Sequence, residues 1–138
     1  MKRKHVKGTA MIEFVIVFPV LILLMMGIMD YSVVLYDRAM MQNASIKAVR
    51  YGIVRGNPNY VTTAAVSTYA KKYLTTLVSF ASPIPAATVV VTQSSSTPKT
   101  GDTLTVKINF TYTRLSYMSS LGFSSTVALM AQSTMTYE

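Results

Sequence analysis

Residues Thr9 to Met29 form an apolar run of 21 residues that contains one charge, Glu13, and follows the basic residues Lys2, Arg3, Lys4 and Lys7. A helix of this length spans about 30 Å, which matches the hydrocarbon core of a bilayer. The run therefore commits the first fifth of the chain to a membrane-length helix and leaves room for one small domain behind it. An ionised carboxylate in hydrocarbon costs about 2.5–3.5 kcal/mol on insertion scales, so Glu13 calls for a partner, which need not lie in the same chain.

The charge distribution narrows the function. The chain of 138 residues carries 13 basic and 5 acidic side chains, and four of the basic ones fall within the first seven positions. The rest are spread thinly, which argues against a nucleic-acid surface. A basic cluster just before an apolar span follows the positive-inside rule: the N-terminus stays cytoplasmic, and everything after Asp30 faces the periplasm or the cell exterior. Cysteine is absent and the single histidine, His5, lies in the leader, so thiolate metal sites and histidine general bases are missing from the remainder. No pair among Asp30, Asp37, Asp102 and Glu138 has the spacing or company of an acid–base or metal site, and those carboxylates read as solvated or helix-surface groups. No phosphate loop, nucleophile elbow or HExxH motif occurs. Neither an enzyme nor a metal or other cofactor is expected.

The pattern beyond the span predicts an α+β fold. The helix continues through Tyr31-Ser32-Val33-Val34-Leu35-Tyr36 to about Arg55, where Gly56-Asn57-Pro58-Asn59 supplies a stop. Pro19 lacks a backbone N–H and clashes with the carbonyl of Val15, so a kink or loosened turn is expected at Val15 to Pro19. Ala44, Ala48 and Gly52 form a stripe of small side chains that lets another backbone approach, as a seat for the chain's own sheet or for another subunit. Residues 60 to 82 read as a second, amphipathic helix whose Tyr69 and Tyr73 are core material, ended by Pro83 and Pro85. Val89 to Val91, the alternation of Leu104, Val106, Ile108, Phe110 and Tyr112, and that of Val127, Leu129, Ala131, Ser133, Met135 and Tyr137 predict a small antiparallel sheet of about three strands. A loop from Leu115 to Ser125 joins the last two strands, and Tyr112, Tyr117 and Phe123 near it either form a tip contact or close the core, the core being the favoured reading.

The segment Lys7-Gly8-Thr9-Ala10-Met11-Ile12-Glu13-Phe14 resembles the processing site of type IV pilins. There a membrane peptidase cuts on the cytoplasmic side of the apolar helix, which stays with the mature subunit. The resemblance implies cleavage between Gly8 and Thr9, with Glu13 as the fifth mature residue facing the free α-amino group of a neighbouring Thr9. Such a pair offsets part of the desolvation of both charges and fixes axial register between helices.

The order Gly8, Glu13, Pro19, Asp30-Tyr31, then Ala44, Ala48 and Arg50 is similar to that of the TadE-like family of tight-adherence pilus systems, most closely over residues 7 to 52. The resemblance implies a minor pseudopilin: a structural subunit processed by a prepilin peptidase and needed to start or cap an adhesive pilus. Its implied partners are that peptidase, other minor pseudopilins, the major pilin, the inner-membrane assembly platform and membrane lipid. The implied organisation is a leader at 1–8, a transmembrane segment at 9–29 and a periplasmic head at 30–138 that includes the helix continuation. It implies a single-pass protein of the bacterial inner membrane that can pass into an extracellular pilus. Two alternatives are an unprocessed, signal-anchored periplasmic binding or scaffold protein and a major pilin, which in these systems is typically much shorter.

Overall fold

A computed structural model describes residues 7–54, 61–80 and 84–137. The chain divides into two compact units, Met1–Val33 and Val34–Glu138, here called unit 1 and unit 2. Helix α1, Lys7–Val54, contributes to both, and its helical geometry runs unbroken past Pro19. The stop at residues 56–59, the first six residues of the leader, and Pro83 lie outside the described residues.

Unit 2 is α+β, as the pattern predicts. Helix α2 covers Thr63–Lys72, and strands β1 (Thr88–Gln93), β2 (Thr103–Thr113) and β3 (Thr126–Thr136) form an antiparallel sheet in the order β1-β2-β3. A short helix α3, Ser116–Ser120, lies within the β2–β3 connection and turns out at Gly122 with φ +86°, a left-handed conformation that favours glycine. Strand β2 buries Leu104, Val106, Ile108, Phe110 and Tyr112, and β3 adds Leu129 and Ala131. Met41, Ala44, Ala48 and Val49 of α1 and Val66 and Ala70 of α2 complete the core. The sheet's opposite face is rich in threonine, with Thr105 and Thr134 joined by their hydroxyls at 2.8 Å across β2 and β3.

The second helix is shorter than its periodicity suggests. Thr62 caps it by accepting from the N–H of Ala65 at 3.3 Å. It ends at Lys72 although Leu74 and Leu77 keep helical spacing and are buried. The chain leaves the helix because its backbone finds partners far away in sequence. Val78 N–H donates to the Asp37 carboxylate at 3.0 Å, Phe80 N–H to the Thr113 carbonyl at 3.2 Å, and Ser79 Oγ accepts from Thr113 N–H at 3.1 Å. Such tertiary bonds override a weak local preference, further weakened by the β-branched Thr75, Thr76 and Val78.

Candidate assembly site

In unit 1 the normal sense of folding is inverted. The large apolar side chains from Met11 to Met25 are exposed, and none of the most apolar stretch is buried within the chain. Bare apolar surface of that length belongs in lipid or against other helices rather than in water. Gly8 and Thr9 fall within the first turns of α1. Glu13 is exposed one turn beyond Thr9, on the same helix face. Phe14 and Phe18, also one turn apart, pack with ring centroids 5.4 Å apart. At the far end Ser32 Oγ donates to the Ile28 carbonyl at 2.7 Å.

In unit 2 the small-residue stripe meets the sheet. Ala44 and Ala48 are fully buried, and a Cβ at Gly52 would overlap the Leu104 side chain and come within 3.1 Å of Val66 Cγ2. At Gly52, therefore, helix and strand approach too closely to leave room for a side chain. Beside Ala44, Ser45 Oγ donates to the Gln42 carbonyl at 2.8 Å and accepts from Ser133 Oγ at 2.8 Å, so its burial is satisfied.

The carboxylates differ from expectation. Asp30 and Asp37 are both buried rather than solvated. Asp37 Oδ1 accepts from Val78 N–H, while its Oδ2 is buried with no hydrogen-bond partner. Burial pushes the Asp37 carboxyl above the ordinary value, a shift only partly opposed by the bond from Val78. A signal for this was present in the sequence: Asp37 lies four residues before Met41 and seven before Ala44, on the stripe that forms the core, and Asp30 lies one heptad further back.

The aromatic assignments also change. Phe123 is exposed, beside an equally exposed Leu121, and is not part of the core; Tyr117 is half-buried. Tyr69 and Tyr73 are half-buried and hold α2 to α1 at the surface. The Tyr69 ring stacks on Tyr51 with centroids 4.2 Å apart, its hydroxyl meets that of Tyr73 at 3.1 Å, and Lys47 Nζ stands 4.5 Å from the Tyr73 ring centre. Among the described residues no group of three or more His, Cys, Asp or Glu could hold a metal ion.

These features define a class, an α+β protein with, among the described residues, one helix long and apolar enough to cross a membrane. More particularly, residues 8–50 match the model of the family described as TadE-like protein. The match covers nearly all of α1 and none of the sheet. No match was found among curated proteins or among solved structures.

Proposed function

We propose that this chain is a minor pseudopilin of a tight-adherence pilus, a structural subunit without catalytic activity of its own. The supporting observation is the conjunction in α1 of a bare apolar helix, a Gly8–Thr9 junction at its head and one carboxylate a single turn further on, within the segment that matches the TadE-like family. A prepilin peptidase cuts between Gly8 and Thr9 at the cytoplasmic face, and α1 remains with the mature subunit. The new α-amino group of Thr9 then pairs with Glu13 of a neighbouring subunit as α1 leaves lipid for the helical core of the pilus. Exchange of one apolar surrounding for another involves little net hydrophobic free energy, so extraction depends on the assembly platform and its motor, while the charge pair sets the axial position.

The test replaces the carboxylate. Glu13→Ala is expected to insert and be processed like the wild type but to leave cells without pili, read by electron microscopy and by shearing assays. Wild-type piliation of Glu13→Ala cells would contradict the assignment and favour an unprocessed anchor carrying a periplasmic binding head.

A further inference from the structure

We propose that the connection between β2 and β3 is a membrane-contacting loop, in which Leu121 and Phe123 enter the headgroup layer of the same bilayer that α1 spans. The proposal rests on the reading of α1 as a membrane span and is independent of processing and of pilus assembly. Three contacts fix the direction of α1 against β2 within unit 2. Gly52 lies against Leu104, near the start of β2. Ser45 meets Ser133, which pairs with Val106. Asp37 holds the N–H of Val78, and the next two residues, Ser79 and Phe80, bond to Thr113 at the end of β2. Helix and strand therefore run in opposite senses, and the chain that leaves β2 at Thr113 emerges at the end of unit 2 where α1 enters. The turn between β1 and β2 lies at the opposite end.

Covalent reach ties that end to the bilayer. Val34, the first residue of unit 2, comes five residues after Met29, the last of the apolar run, so at most about 18 Å of chain separates them in any conformation. The same end exposes apolar side chains. Leu121 and Phe123 are 52% and 57% exposed on either side of Gly122, whose φ of +86° turns the chain. Val78 and Phe80, held there by Asp37 and Thr113, are exposed as well. Exposed apolar side chains gathered in this way mark an interaction surface.

Proximity and charge together select lipid as the occupant. Residues 74–80 and 103–137 carry two charges, Lys107 and Arg114, and both are cations. Where α1 enters, Asp30 and Asp37 are buried while Arg38 is exposed. Among the described residues this end thus presents no exposed carboxylate to repel anionic headgroups and offers them an arginine. Tyr36 is exposed beside it, an aromatic of the kind that settles at headgroup level. Apolar side chains on a turn near such groups suit the boundary between headgroups and acyl chains.

The test uses the full chain reconstituted in vesicles of phosphatidylcholine and phosphatidylglycerol. The sequence has no tryptophan, so one introduced tryptophan reports alone. Lipids brominated on the upper acyl chain should quench Phe123→Trp at least about twofold and shift its emission to the blue, whereas Thr100→Trp, in the exposed turn between β1 and β2, should keep the emission of a residue in water. Leu21→Trp, within the span, should be quenched and establishes that α1 is inserted. Adding Leu121→Asp to Phe123→Trp should abolish its quenching with circular dichroism unchanged, since both side chains are exposed. Phe123→Trp left unquenched while Leu21→Trp is quenched would overturn the proposal, as would equal quenching of Phe123→Trp and Thr100→Trp or quenching that survives Leu121→Asp. If Leu21→Trp is itself unquenched, the membrane reading of α1 fails and takes the proposal with it. A blue shift of Phe123→Trp that requires a second protein in the vesicles overturns the choice of lipid.

Discussion

At Asp37 the long helix carries a carboxylate into the core of unit 2, where one oxygen holds the Val78 N–H and the other has no hydrogen-bond partner. A group whose folded-state pKa is raised favours its neutral form, so its contribution to stability is fully present below the ordinary carboxylate value and is lost as pH rises through the raised one. Thermal melts of the wild type should therefore fall across that window. Asp37→Asn should flatten the dependence while keeping an acceptor for Val78. Asp37→Ala, which strands that N–H, should cost about 1–3 kcal/mol at any pH. A wild-type melt that rises through the same window would contradict this account. Gly52 makes the second prediction at this scale: with Leu104 and Val66 already against its Cα, Gly52→Val should destabilise unit 2 by about 1–3 kcal/mol in denaturant titrations.

Among the elements, legibility followed the source of each one's stability. Strand β2 was readable because its alternation from Leu104 to Tyr112 reports burial on one face of a sheet, a local pattern with a local cause. Helix α2 was readable at its middle but not at its end, because what unwinds the chain beyond Lys72 is a set of acceptors at Asp37 and Thr113, more than thirty residues away in sequence. The same distance effect hid the burial of Asp37, although its place on the Met41, Ala44 and Ala48 stripe gave the clue. Phe123 was misjudged for the opposite reason: hydrophobicity alone suggested core, and the turn at Gly122 leaves it outside. The start of α2 rests on its cap, so Thr62→Ala should lower stability by about 1 kcal/mol in chemical denaturation, with the sheet unaffected by circular dichroism.

At the scale of the whole molecule, the chain joins a helix whose apolar surface is bare to a unit that buries its own apolar residues. The candidate assembly residues were legible because membrane insertion imposes its pattern on contiguous sequence, and one carboxylate in such a run stands out without any tertiary information. The partner proposed for that carboxylate, the Thr9 α-amino group of a neighbouring subunit, was not legible in the residues themselves, since in the proposed assembly it belongs to another chain. The processing step has the sharpest test. Intact mass and N-terminal sequence of the protein purified from membranes, with and without the prepilin peptidase, should show a start at Thr9 only when the peptidase is present, and Gly8→Arg should keep the leader in both. A leader retained by the wild type in the presence of active peptidase, or a start at Thr9 in its absence, would contradict the account.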